Sequence, residues 1–134
     1  MASAAEESLR ILGEIRGRHG IETQSPVNLV IGDGHSLVAT RFCFDYGWYP
    51  DDNSFFAGER EFDFTTLWFA VGERFSEVDH AWDIRFGERS AAAMIASEPV
   101  GPTALGWLEV PEYSMLVATR ESARVTVDVR DLDL

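Results

Sequence analysis

One cysteine, three histidines and a scatter of acidic residues are the groups in this sequence that could do covalent, metal or acid–base chemistry. Cys43 sits between Phe42 and Phe44 in a β-rich stretch, and a nucleophilic cysteine needs a cation or dipole that lowers its pKa. On a strand, Arg41 shares a face with Cys43 while Phe42 points the other way. Activation therefore has a geometric route, beside the plainer reading of a small core-filling thiol. His19, His35 and His80 are too dispersed for a recognised metal-ligand spacing; His19 reads as a helix-end cation and His35 as a turn residue. Gly32-Asp33-Gly34 resembles a fragment of a calcium loop, but the remaining ligands of such a loop do not follow, and a hairpin turn accounts for it. Asp51-Asp52 and Asp131/Asp133 read as solvated loop and tail charges. Ser97 lacks the Gly-x-Ser-x-Gly elbow of a serine nucleophile. The residues alone yield no catalytic, cofactor-binding or metal constellation, and no cofactor is expected.

Charge narrows the partners. The 134 residues carry 23 acidic and 11 basic side chains, a net −12, and every basic residue is arginine. The absence of lysine removes Schiff-base chemistry. The acidic balance opposes binding to a phosphate backbone or an anionic membrane surface. No apolar run approaches the ~18 residues of a spanning helix, and Met1-Ala2-Ser3-Ala4-Ala5-Glu6 lacks the basic start of a secretory signal. A single cysteine forms no internal disulfide and suits a reducing cytosol, so a cytoplasmic location is expected.

The elements that would position these groups follow from periodicity. Ser3 and Glu6 have the spacing of a capping box, Leu9, Leu12 and Ile15, with Ile11 alongside, form an apolar stripe, and His19-Gly20 is a stop signal. A helix is predicted over roughly Ala4 to Arg18, with Gly13 marking a close contact. Val27–Ile31 and Ser36–Phe42 are β-rich runs around the glycine turn, the pattern of a hairpin. Asp45 to Glu61 reads as a loop or insertion. Phe64–Val71 and Ala91–Ser97 read as strands, and Ser114–Thr119 with Ala123–Val129 as a last pair across Arg120-Glu121-Ser122. Glu77–Arg89 is ambiguous. Phe42, Phe44, Tyr46, Trp48 and Tyr49 cluster either as a partner surface or as a covered core corner. One helix followed by about six strands predicts an α+β domain dominated by antiparallel pairing, spanning 1–134 with its strand-rich part at 27–129.

Taken in order, several segments resemble the C-terminal half of class II glutamine amidotransferase domains, which are N-terminal-nucleophile hydrolases. They are Pro26-Val27-Asn28-Leu29-Val30-Ile31-Gly32-Asp33-Gly34, Leu37-Val38-Ala39-Thr40-Arg41-Phe42, Leu67-Trp68-Phe69, Ile95-Ala96-Ser97-Glu98-Pro99, Trp107-Leu108-Glu109-Val110-Pro111 and Ser114-Met115-Leu116-Val117. The nearest subgroup is the single-domain type acting on γ-glutamyl compounds, including glutathione and ergothioneine pathway members. The resemblance implies that the helix and sheets are part of an αββα four-layer sandwich, with γ-glutamyl amide hydrolysis in the intact family. It also implies an N-terminal cysteine nucleophile, where this sequence begins Met1-Ala2-Ser3. The family's catalytic residues precede the matched region, so no catalytic residue is carried over. Asn28 is expected to hold a structural hydrogen bond at its strand, and Arg41 and Ser97-Glu98-Pro99 to be scaffold. The chain is then expected to be inactive alone and to meet a γ-glutamyl small molecule only together with an N-terminal half, that half or a second copy being its protein partner. The alternative is a non-catalytic acidic α+β binding module.

Overall fold

The computed structural model describes residues 1–45, 66–78, 81–85, 89–101 and 104–134. Tyr46, Trp48, Tyr49, Asp51-Asp52, Phe64, His80 and nearly all of the Asp45–Glu61 stretch, all singled out above, lie outside the described residues. The chain forms α1 (Ala2–Arg18) and then β1 (Ser25–Gly32), β2 (Ser36–Phe44), β3 (Trp68–Gly72), β4 (Arg74–Val78), β5 (Ala81–Arg85), β6 (Ala92–Ala96), β7 (Trp107–Glu109), β8 (Ser114–Glu121) and β9 (Arg124–Asp131). Among the described residues all the strand pairings are antiparallel, in sheets ordered β1-β2-β8-β9, β6-β3-β7 and β4-β5. The α+β class expected from the sequence is the class observed.

The four-stranded sheet has two buried faces because its strands alternate. Ala39, Leu116 and Ala118 point one way, where Val125, Val127 and Val129 join Leu67, Phe69, Val71, Ala93, Ile95 and Val110 from the second sheet and its flanks. Val38 and Met115 point the other way, onto Ala5, with Ala2, Ile31, Val117 and Leu132 around them. Helix, sheet and sheet thus form three layers, the usual solution for elements that are each apolar on one side.

The β1–β2 hairpin forms as predicted, with Gly32 opposite Leu37 and Ser25 opposite Phe44. Gly34 takes φ 84° in its turn, a left-handed conformation that glycine adopts without a Cβ clash. The side chain of Asp33 accepts hydrogen bonds from the backbone N–H groups of His35 and Ser36 at 2.9 and 2.8 Å. These bonds hold its carboxyl below the ordinary carboxylate range. Asp33 is therefore a turn residue, as the sequence suggested.

Several expectations need correction. The helix begins at Ala2 with Met1 as its N-cap and no side-chain cap. The Ala5 N–H already donates to the Met1 carbonyl, and the Glu6 carboxylate reaches across to Arg130 at 3.3 Å, so Ser3 and Glu6 do not form a capping box. Of the apolar stripe only Leu9 is buried, at 1% exposed, whereas Ile11, Leu12 and Ile15 are 45%, 41% and 39% exposed. Only the first turns of α1 lie over the sheet core. Farther along, a Cβ on Gly13 would meet the Phe44 ring at 3.5 Å, an ordinary contact, so this glycine is not forced by crowding. The helix does stop at His19-Gly20, with Gly20 at φ 62°. The ambiguous 77–89 region contributes the β4–β5 hairpin, and the short β7 was not foreseen. The final hairpin runs longer than expected, with Glu121 opposite Arg124 and a turn at Ser122 and Ala123.

Because burial differs so sharply along these elements, truncations should separate cleanly. Leu116→Ala, in the fully buried inter-sheet core, is expected to cost ~2–5 kcal/mol. Leu12→Ala, on the exposed helix face, should cost about 0.5 kcal/mol. Urea unfolding of the two variants checks the contrast.

Candidate functional site

The strand order brings Arg41 and Cys43 to the same side of β2, as the alternation required, and buries both. Arg41 is 3% exposed. Its Nη1 donates to Glu109 Oε1 at 2.7 Å and to the buried Val110 carbonyl at 2.8 Å, and its Nη2 lies 3.6 Å from Glu112. A buried guanidinium needs such partners, since an isolated charge out of water is costly. These contacts direct the cation toward β7 and the segment after it.

Cys43 is 2% exposed and bonds weakly to the Phe44 carbonyl, at 3.4 Å. Burial pushes its thiol up, more than the attraction of Arg16 lowers it. The thiol is therefore protonated at neutral pH, and the reading of a core-filling cysteine holds over that of an activated nucleophile.

Arg16 fastens the end of α1 to both strands of the hairpin. Its guanidinium donates to Ser25 Oγ at 2.9 Å, to the Thr23 carbonyl at 2.6 Å and to Asp45 at 2.8 Å. It also lies 4.9 Å from the centre of the Phe44 ring, within the range of a cation–π contact. Phe42 packs edge-on against Phe44 and Tyr113. The described part of the aromatic cluster thus covers a corner of the helix–sheet layer.

Asn28 and Ser97, far apart in sequence, come together. Asn28 Nδ2 donates to the Thr66 carbonyl at 3.2 Å, and Thr66 Oγ1 donates to the Ser97 carbonyl at 2.7 Å. With Pro26 and Glu98 they line a small polar cleft of about 280 Å³. The Asn28 amide fills the structural role expected of it. His19 caps α1 and His35 lies in the β1–β2 turn, as read from the sequence. Among the described residues no three His, Cys, Asp or Glu side chains converge as a metal-binding group.

The larger cleft went unseen in the sequence. It opens at the end of the sandwich where β2 begins and β8 ends, with a volume of about 440 Å³. Leu37, Ala93, Ala118 and Val125 line it, with His35 and Arg120 also on its wall. The Val125 N–H donates to the Ser90 carbonyl at 2.6 Å, joining the two sheets beside it. The available signal was parity: Arg120 follows Leu116 and Ala118 at every second residue, so its side chain belongs to the inward face.

No protein-family model matches the chain, and no curated protein and no solved structure matches it either.

A buried, protonated thiol makes two measurable claims. Cys43 should react with a thiol-specific disulfide reagent at neutral pH at least about tenfold more slowly than in the urea-unfolded chain. Its raised pKa also means that the unfolded state loses this proton first. The associated stability is intact below the ordinary thiol value of about 8.5 and falls as the pH rises through and above it. Unfolding free energies measured across that range should show this decline in the wild type and a weaker one in Cys43→Ala.

Proposed function

We propose that this chain supplies the scaffold half of a class II glutamine amidotransferase-like unit acting on γ-glutamyl amides, and is inactive without a segment that carries the nucleophile. The observation that carries the reading is the layering. A helix, a four-stranded antiparallel sheet and a second antiparallel sheet stack in order, and the ordered segments Pro26–Gly34, Leu37–Phe42, Leu67–Phe69, Ile95–Pro99, Trp107–Pro111 and Ser114–Val117 build that stack. In an αββα sandwich a further helical layer would lie on the far side of the second sheet, the side that carries Trp68, Ala70, Met94 and Trp107; Ala70 and Trp107 are buried there, while Trp68 and Met94 are part-exposed.

The chemistry of the described residues agrees with a scaffold role. Acyl transfer requires a nucleophile, a base and oxyanion donors in one place. Cys43 is dry and protonated, and the neighbouring Arg41 is engaged by Glu109, Glu112 and the Val110 carbonyl. Both belong to the packing of the two sheets. No helix among the described residues is long and apolar enough to cross a membrane.

A second reading, a small-molecule binding module without catalysis, is favoured by one observation, the 440 Å³ cleft at the opposite end of β2. Co-expression separates the two. With the Cys-initiated N-terminal half of a γ-glutamyl-hydrolysing class II amidotransferase, the chain should give a soluble heterodimer that releases glutamate from a γ-glutamyl amide. The chain alone should release none. A chain that stays a cooperative, stable monomer and ignores the added half would support the binding module instead. Ammonia release from glutamine by the chain alone, lost in Cys43→Ala, would overturn the scaffold reading.

A further inference from the structure

We propose that the cleft at the open end of the sandwich binds a small carboxylate with an apolar body, of the size and kind of a medium-chain fatty acid. Its volume, about 440 Å³, falls within the ~300–1,000 Å³ typical of ligand pockets. Most of its wall is aliphatic or methyl: Leu37 from β2, Ala93 from β6, Ala118 from β8 and Val125 from β9. These strands belong to both sheets, so the site is formed by the sandwich rather than by one loop. The bond from the Val125 N–H to the Ser90 carbonyl fixes its two walls relative to each other.

The charge of the ligand is set by Arg120. In the β8–β9 register Arg120 lies opposite Val125, as Ala118 lies opposite Val127 and Leu116 opposite Val129. Val125, Val127 and Val129 all pack toward the inter-sheet core, so the guanidinium stem leaves the strand on that same side and its residue lines the cleft. The backbone N–H of Arg120 donates to the His35 carbonyl at 3.1 Å, which anchors the strand position from which the side chain extends. The sequence contains 23 acidic residues, yet among the described residues no Asp or Glu lines this cleft and no carboxylate pairs with Arg120. An arginine fork is matched to a carboxylate, which it holds through two parallel N–H donors. An apolar wall next to an unclaimed guanidinium therefore selects for an aliphatic chain ending in a carboxylate. The site uses neither Cys43 nor the Arg41 cluster, and it stands whether or not the scaffold reading is correct.

Octanoate is the probe, titrated into the isotope-labelled chain and followed by amide chemical shifts, with octan-1-ol as the uncharged control. Saturable shifts are expected at Leu37, Ala93, Ala118 and Val125, with octan-1-ol binding at least about tenfold more weakly. Arg120→Gln should weaken octanoate by a similar factor and leave octan-1-ol unchanged; Arg120 is exposed, so the fold should tolerate the substitution. The octan-1-ol comparison is made on the wild type and so remains decisive if the variant is poorly behaved. Equal binding of acid and alcohol, undiminished octanoate binding to a folded Arg120→Gln, or octanoate shifts absent from these residues would each overturn the proposal.

Discussion

The arrangement of the two sheets depends on one buried cation. Arg41 lies on the inward side of β2, where its neighbours at every second position, Ala39 and Cys43, are buried too. Such a position would ordinarily favour an aliphatic side chain, because a charge taken out of water loses several kcal/mol of hydration. The structure recovers that loss by bringing β7 to it: Glu109, the Val110 carbonyl and Glu112 all face the guanidinium. Val110 is held from the other side as well, its N–H donating to the Leu67 carbonyl at 2.8 Å. Arg41 thus determines which edge of the second sheet meets β2, and with it the placing of Leu67 and Val110 in the inter-sheet core.

The two ends of the sandwich differ as a consequence. At the Arg41 end, charged hydrogen bonds draw the sheets together and leave Cys43 dry. At the other end β2 begins with Leu37 and β8 ends with Arg120, and the cross-sheet tie there is the backbone bond between Val125 and Ser90. The small residues Ala91–Ala93 leave space that bulkier ones would fill, and the larger cleft is the result. The helix layer is secured differently, by Ala5 and Leu9 in the core at its start and by Arg16 on Ser25, Thr23 and Asp45 at its end. Between those anchors Leu12 and Ile15 remain exposed. Elsewhere, Gly101 takes φ 111° and passes so near β5 that a Cβ would lie 2.6 Å from the Trp82 carbonyl. Only glycine fits there.

Local patterns were legible in the sequence. The β1–β2 hairpin is marked by two β-rich runs around Gly32-Asp33-Gly34, and the helix end by His19-Gly20, because both signals act within a few residues. The capping box does not form because the helix starts at Ala2, which places Ser3 inside the first turn, and Glu6 instead pairs with Arg130, a partner that spacing along the chain does not reveal. β7 was missed because a three-residue strand has too short a period to detect; its pairing with β3 forms it. The β4–β5 hairpin is hard to read because each strand is only five residues long, too short for a period to stand out. The face shared by Arg41 and Cys43 followed from strand parity, but the identity of the partners of Arg41, nearly seventy residues away, could come only from the tertiary structure. The same holds for both clefts, which are assembled from strands remote in sequence.

The claim that Arg41 joins the sheets through its acidic partner is tested most directly by a double-mutant cycle. Unfolding free energies would be measured in urea for the wild type, Arg41→Met, Glu109→Gln and the combined variant. Arg41 is buried and Glu109 is 40% exposed, so the coupling should lie between that of a surface pair and that of a fully desolvated one. A value of roughly 1–2 kcal/mol is expected. A coupling of about 0.2 kcal/mol or less would contradict the account, and would mean that apolar packing alone sets how the two sheets meet.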